Sequence, residues 1–229
     1  MSTNTKTDSP KKKRRARERQ FRKNAIVQKA EKTFLSKGYE EAKIDTIAEL
    51  SGYTKTTLYK YFASKDDLFT AVLANIYLDM HSSMSTFIKD KGTSSGLRLL
   101  GNAFLHFIES YPGKIQLINS GRCMTISQRI IEKERSEQRL TESEKEYQQN
   151  ELHLSLLLGE VLLPLMEENS IMDNVDPARI VFILSAFNLV IREMIRRGKV
   201  LGQSYEAIRE NLTVLFTIFE QGVKNYVEN

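Results

Sequence analysis

The sequence predicts an all-α protein in which a small N-terminal helical unit is followed by a larger helical domain. Apolar residues recur three and four positions apart over most of the chain, which is the spacing of one helix face. Only four prolines and eleven glycines occur in 229 residues, so long stretches are free of helix breakers. Hydrophobic residues make up 41% of the chain, which is enough to build a core.

Cysteine content and hydropathy restrict the class of protein further. The single cysteine, Cys123, excludes an intramolecular disulfide framework and a cysteine-based zinc site, and it fits a reducing compartment. No run approaches the ~18 consecutive apolar residues of a membrane span, and the N-terminus lacks the apolar segment of a signal peptide. We therefore expect a cytoplasmic protein that has no membrane partner and needs neither metal nor cofactor.

Positive charge is concentrated at the N-terminus. Ten Lys/Arg and two acidic residues give residues 1–23 a surplus of eight positive charges, whereas the whole chain is only +5, which leaves the remainder at −3. A dense basic segment beside a folded domain is suited to neutralising phosphates, so residues 1–20 are predicted to form a basic disordered arm. Two other interpretations stay open: a solvated tail that aids solubility, and an import signal at Pro10–Arg15.

Three short helices are expected after this segment. The first carries apolar residues at helical spacing over 26–35, with Gly38 in the C-cap position. The second covers 44–50 and ends near Ser51-Gly52. Thr54 stands where it can cap a third helix of barely two turns.

A capping-box arrangement begins the fourth helix. The Ser64 hydroxyl is expected to face the first free amides, and Asp67 stands in for the usual Glu or Gln. Apolar residues continue at helical spacing to about Phe87. The polar, glycine-containing stretch 89–95 is predicted to be a linker.

The rest of the chain is predicted to form further helices separated by polar or proline-containing turns. The charged run 132–149 is interpreted as a solvated helix rather than a binding site. Asp176-Pro177 is a helix start, because the acidic residue caps and the proline is preorganised for the first turn. Ser204 is expected to cap the last helix. The predicted apolar segments are 97–107, 114–119, 124–131, 152–163, 180–195 and 208–223.

Residues 44–62 meet the requirements of a helix-turn-helix, which are a short helix, a tight turn and a second helix able to enter the major groove. Gly38-Tyr39, residues 47–62 (IAELSGYTKTTLYKYF) and residues 64–68 (SKDDL) resemble the N-terminal signature of the tetracycline-repressor (TetR) family. The resemblance is close over about residues 21–72 and general beyond. It implies a homodimeric, ligand-responsive regulator that binds operator DNA and is released by a small molecule.

The resemblance also places individual side chains of the recognition helix. Leu58 and Phe62 would pack inward, while threonines and tyrosines would face DNA. Their hydroxyls can donate to phosphates or base edges, threonine methyls can contact thymine, and lysines add charge. The full predicted DNA-binding set is Lys43, Thr54, Lys55, Thr56, Thr57, Tyr59, Lys60, Tyr61 and Lys65.

One position departs from the family pattern. Where the family usually has a Ser or Thr cap on the second helix, this chain has Lys43, so the cap is lost or shifts to Asp45. Residues 24–68 carry seven basic and seven acidic residues, a net charge of zero. We therefore hypothesise that the arm from Lys11 to Arg19 supplies much of the affinity by entering the minor groove.

A small-molecule pocket is expected in the C-terminal domain, where it could shift the spacing of the two DNA-binding heads. The apolar candidates fit an ordinary core better than a pocket lining, and an isolated cysteine such as Cys123 is usually inert rather than a redox sensor. The apolar candidates are Phe104, Phe107, Leu157 and Phe187, and the polar ones are His106, Arg122, His153 and Asn188.

These observations predict residues 21–67 as the helix-turn-helix DNA-binding domain and 68–229 as the helical ligand-binding and dimerisation domain. The predicted partners are double-stranded operator DNA, a second copy bound through the last two helices, and an effector of unknown identity. The alternative is an architectural or nucleoid-associated DNA-binding protein without an inducer. An enzyme is disfavoured, because the chain has no glycine-rich phosphate loop and its three histidines are scattered.

Overall fold

The structure, a computed structural model, describes residues 10–91, 96–168 and 201–225 together with scattered positions between 186 and 200. Every regular element in this part of the chain is a helix, which confirms the all-α prediction. The chain divides into two compact units, Met1–Val72 and Leu73–Asn229. The helices are α1 Pro10–Glu41, α2 Ile44–Ser51, α3 Lys55–Tyr59, α4 Lys65–Lys91, α5 Gly96–Ser110, α6 Pro112–Ile118, α7 Gly121–Arg135, α8 Glu142–Glu168 and α9 Tyr205–Asn225.

The basic N-terminal segment is helical, not disordered, from Pro10 onward. Residues 11–37 contain neither glycine nor proline and are rich in Lys, Arg, Ala, Glu and Gln, all good helix formers. Proline is tolerated in a first helical turn because its missing amide is unpaired there anyway. The prediction of a disordered arm considered the charge of this segment and not its helix propensity. Residues 1–9 of the predicted arm lie outside the described residues.

Three helices of the N-terminal unit enclose its core. Ile26 and Phe34 of α1, Ile47 of α2 and Leu58 of α3 are buried, and the Phe69 ring meets Phe34 edge-on at 4.9 Å between centroids. Burial of these apolar faces stabilises short helices that would be marginal alone. Gly38 interrupts α1 with a φ of 73°, a left-handed backbone that suits glycine at its predicted C-cap position.

Local caps fix the ends of the short helices as predicted. Gly52 ends α2 in the left-handed conformation, and the Thr54 hydroxyl accepts a hydrogen bond from the Thr57 amide to begin α3. At the start of α4 the Ser64 hydroxyl accepts from the Asp67 amide at 3.1 Å. The Asp67 carboxylate in turn accepts a hydrogen bond from the Ala63 amide at 2.8 Å. Asp67 thus bonds the amide of the residue before Ser64, whereas the Glu or Gln of a capping box bonds the amide of the cap residue.

The C-terminal unit is organised around α5, which packs against α8 and α9. Ala103, Phe107 and Ile108 of α5 are buried. A Cβ atom on Gly101 would lie 2.4 Å from the Phe216 ring of α9, so only glycine permits this close approach.

The charged run 132–149 is not one solvated helix, which corrects the sequence interpretation. The helix α7 ends at Arg135 and α8 begins at Glu142, and both Glu144 and Tyr147 are buried. The charge of Glu144 is tolerated inside because Lys133 and the Thr141 amide satisfy its oxygens. Charge density alone could not reveal this pairing. The helix α7 also starts earlier than predicted, at Gly121, capped by the Ser120 hydroxyl.

The C-terminal predictions are only partly within the described residues. Asp176-Pro177 and most of the predicted helix 180–195 lie outside them, although Val190, Ile191 and Ile195 are helical. The cap of the last helix is confirmed, since the Ser204 hydroxyl accepts from the Ala207 amide at 3.2 Å. Among the described residues, no helix is both long and apolar enough to cross a membrane.

Candidate nucleic-acid interface

The helix α3 turns a polar face outward. Leu58 is buried in the N-terminal unit, as is Phe62 just beyond the helix. Thr54, Lys55 and Thr56 in the first turn are exposed, and Thr57 is half-buried. Because two inward apolar side chains anchor so short a helix, its first turn is held at the surface where a major groove could receive it.

The first turn of α3 is stiffened by its own hydroxyls. Thr54 Oγ1 accepts from the Thr57 amide at 3.2 Å and lies 3.0 Å from Thr57 Oγ1. These contacts orient both hydroxyls before any partner arrives. Thr56 stands exposed beside them, which leaves its hydroxyl and methyl able to meet a base edge.

Lys55 is held by a carboxylate that the sequence interpretation did not assign to it. Its Nζ donates to Asp45 Oδ2 of α2 at 3.0 Å. This hydrogen bond and the charge of Asp45 raise the pKa of Lys55 above its usual value. Both side chains are at least half exposed, so the pair is weak enough for a phosphate to compete for the lysine.

Lys43 precedes α2 in an extended conformation and makes no side-chain cap. The cap that a Ser or Thr would supply is therefore absent at this position. Asp45, the alternative cap in the sequence interpretation, binds the Lys55 ammonium instead. Lys43 is exposed, and a lysine here presents a charge where the family pattern has a hydroxyl.

The two predicted tyrosines occupy different environments. Tyr59 is 46% exposed on the outer face of α3. Tyr61 is half-buried, and the Arg19 guanidinium of α1 lies over its ring at 5.2 Å from the centroid. Tyr59 is thus the more accessible of the two, whereas Tyr61 joins the basic part of α1 to the end of the recognition segment.

Lys60 and Lys65 also differ in exposure and in contacts. Lys60 is exposed directly after α3. Lys65 is half-buried, with its Nζ donating to the Glu40 carbonyl at 3.2 Å and lying 4.4 Å from the Tyr39 ring centroid. Tyr39 also donates to the Asp66 carboxylate, so Lys65 belongs to a network that ties α4 to the end of α1.

The positioning residues Asp45, Arg19 and Tyr39 were missed as parts of this surface. Asp45 lies ten residues before Lys55, and Tyr39 lies 27 residues before Asp66. Such separations match no helical spacing, so only the packing of the helices brings these groups together. The basic composition around Arg19 was a usable signal, but its contact with Tyr61 was not.

The candidate effector residues are spread over the C-terminal unit. Phe107 and Leu157 are buried in its core, and Phe104 borders an internal cavity of about 10 Å³, no larger than a water molecule. His106 borders an open groove of about 800 Å³ between α4, α5 and α6. His153 is exposed and Arg122 is half-buried, while Phe187 and Asn188 lie outside the described residues.

Cys123 and possible metal ligands offer little chemistry in the described part of the chain. Cys123 is fully buried, with its sulfur 3.9 Å from the Tyr147 hydroxyl. Burial raises the pKa of Tyr147 far above its usual value, so its hydroxyl stays protonated. No group of three His, Cys, Asp or Glu residues in the described ranges is arranged to hold a metal ion.

The helix-turn-helix segment matches the model of a known protein family. Residues 26–72, which include α2, α3 and the start of α4, match the model of the bacterial regulatory proteins of the tetR family. The match covers the helix-turn-helix segment of the chain, which is therefore similar to that family over these residues. Its described fold, an N-terminal helix-turn-helix domain followed by a larger helical domain, is the one predicted for such a protein.

Two curated relatives come from Escherichia coli strain K12. The HTH-type transcriptional regulator RutR is 31% identical over 99 residues, which cover 43% of this chain and 47% of RutR. The HTH-type transcriptional repressor ComR is 32% identical over 123 residues, which cover 51% of this chain and 56% of ComR. The chain thus spans about half the length of the curated relatives that it matches. Both relatives are transcriptional regulators.

Solved structures extend the likeness to the whole fold. The transcriptional regulator FadR from Bacillus subtilis, crystallised in complex with stearoyl-CoA, matches with a TM-score of 0.53 and 15% identity. The match covers 84% of this chain and 96% of FadR. At this identity the likeness concerns the fold alone.

Proposed function

We propose that this protein is a TetR-family, sequence-specific DNA-binding repressor that acts in the cytoplasm and leaves its operator when a small molecule binds. The observation that carries the proposal is the outward polar face of α3, with Thr56 and Tyr59 exposed over a buried Leu58. A surface built only for solubility would not need a capped, anchored helix of five residues.

The proposal includes a homodimer formed through the last two helices. On α9, Ile208, Leu212 and Phe216 are buried, whereas Val214 and Ile218 are 56% and 65% exposed on another face. An exposed apolar pair on a helix whose other face is already packed suits an isologous contact with a second copy. A dimer would present α3 twice, as a palindromic operator requires.

Release by an effector is the regulatory part of the proposal. FadR, a regulator of similar fold, was crystallised in complex with stearoyl-CoA, which supports a small-molecule ligand for this fold. In this chain the open groove beside His106 is a candidate position for such a ligand. A ligand would act by favouring a conformer in which the two heads no longer match successive major grooves.

One observation favours a second candidate, an architectural DNA-binding protein without an inducer. Residues 10–22 carry eight Lys/Arg and one acidic residue, a charge suited to sequence-independent binding of phosphates. Genome-wide occupancy separates the two functions, because a repressor occupies few sites and an architectural protein many. Neither function requires catalysis, and we propose no enzymatic activity.

The test of the proposed function begins with selection of bound sequences from a random duplex pool by the full-length protein. We expect one enriched palindromic motif. Thr56→Ala and Tyr59→Ala should each weaken binding to that duplex about tenfold or more, because contacts to base edges are worth ~1–3 kcal/mol. Thr125→Ala, an exposed threonine of α7, is the matched control. Absence of any enriched motif would overturn sequence-specific recognition.

A further inference from the structure

The N-terminal part of α1 presents a stripe of cations on one helix face. Lys12, Arg15, Arg19 and Arg22 follow one another at intervals of three, four and three residues, which places them on one side of the helix. All four side chains are exposed. We refer to these four residues as the α1 stripe.

The one carboxylate within residues 10–22 pairs with a residue outside the α1 stripe. Glu18 is the single carboxylate of residues 10–22, and its side chain pairs with Arg14 at 3.6 Å. Arg14 lies away from the stripe around the helix. Residues 10–22 therefore carry a net charge of +7.

The α1 stripe is connected to the recognition segment. The Arg19 guanidinium lies over the Tyr61 ring, two residues beyond the end of α3. This contact directs the stripe face of α1 toward the same side of the N-terminal unit as the end of α3. The stripe and α3 are thus parts of one surface within the unit.

Like charges four residues apart destabilise an isolated helix, so the α1 stripe has a physical reason to bind a polyanion. Arg15 and Arg19 repel each other, as do Lys11 and Arg15. Duplex phosphates would remove this repulsion and release their counterions. From Lys12 to Arg22 the helix rises about 15 Å, long enough to follow several phosphates along one strand.

We propose that the α1 stripe is a second DNA-binding element, which lies as a helix along the phosphate backbone beside the half-site read by α3. It supplies the charge that the neutral segment 24–68 lacks. It replaces the insertion of an extended arm into the minor groove that the sequence alone favoured. This inference rests on the proposed function, since it needs duplex DNA at α3.

The test compares two double variants that remove the same charge from opposite faces of α1. Arg15→Gln/Arg19→Gln removes two cations of the stripe, and Lys13→Gln/Arg17→Gln removes two from the far side at the same spacing. Binding to the selected duplex is measured from 50 to 200 mM salt. We expect the stripe variant to reduce the slope of log K against log salt by about two for each protomer. The far-side variant should reduce it by less than half as much.

Three outcomes would overturn the inference while leaving the proposed function intact. Equal reductions in both variants would mean that diffuse charge is responsible, and no reduction in either would mean that α1 does not touch DNA. Loss of binding to anionic phosphatidylglycerol vesicles with an unchanged DNA slope would assign the stripe to a membrane. Circular dichroism at 222 nm checks that both variants keep their helix. A failure to select any duplex would count against the proposed function rather than against this inference.

Discussion

Two polar clusters in this protein have opposite surroundings. On α2 and α3, Lys55 and Asp45 pair at 3.0 Å with side chains that are 50% and 67% exposed. Between α7 and α8, Glu144 is 2% exposed and accepts two hydrogen bonds from Lys133, at 2.7 and 2.9 Å. A buried charge must be fully paired because it has lost its water, whereas an exposed charge can exchange partners. Accessible and weakly paired charged side chains, rather than charged side chains in general, therefore mark a surface that is able to bind DNA.

The buried cluster is expected to give the largest effect on stability. Glu144→Gln leaves Lys133 without its carboxylate and weakens the capping box that Glu144 forms with Thr141. We expect the free energy of unfolding to fall by about 2–3 kcal/mol, measured by urea denaturation at pH 7. Glu132→Gln, an exposed carboxylate of α7, is the matched control.

The pH dependence of the same variant sharpens this prediction. Burial alone would raise the pKa of Glu144, but the hydrogen bonds from Lys133 and the Thr141 amide outweigh it, so the pKa lies below the usual 4.5. A carboxylate with a lowered folded-state pKa stabilises the protein above its unfolded pKa and loses that effect as the pH falls through the folded one. The difference between wild type and Glu144→Gln should therefore shrink below pH ~4. A constant difference would show that Glu144 acts through shape and not charge.

Thr54 tests whether the exposed cluster also has a structural role. Thr54→Ala removes the cap of α3 and should lower the free energy of unfolding by about 1 kcal/mol. Thr54→Asn should restore stability, because Asn is an equally good cap. If Thr54 also contacts DNA, the Asn variant will be stable yet bind the selected duplex more weakly. Full recovery of both properties would limit Thr54 to capping.

The substitution Asp45→Asn is expected to have the smallest effect on stability and to strengthen DNA binding. Asp45→Asn breaks an exposed pair, so the free energy of unfolding should change by less than about 0.5 kcal/mol. The variant releases Lys55 for a phosphate, and affinity for the duplex should rise severalfold in a titration at 100 mM salt. Glu49→Gln removes one exposed negative charge from the same helix and controls for net charge. Equal gains in both variants would show that Lys55 makes no specific contact.

Sequence reasoning recovered what depends on local spacing. The apolar periodicity located α2 and α3, and the hydroxyls of Thr54 and Ser64 marked the helix starts that the structure has. It could not find the partners of Lys55, Lys65 or Glu144, because these pairs depend on how helices pack. It also took residues 10–20 for a disordered arm, since it weighed charge above helix propensity. Which predicted residues touch DNA stays a prediction.

The central claim is that α3 reads DNA twice, at a separation of one helical turn of duplex. Hydroxyl-radical footprinting of the selected duplex with the full-length protein tests it directly. Two equivalent protected blocks are expected, with centres that lie about 10 base pairs, or a multiple of that, apart. A single protected block, or uniform protection that is the same on unselected DNA, would contradict it.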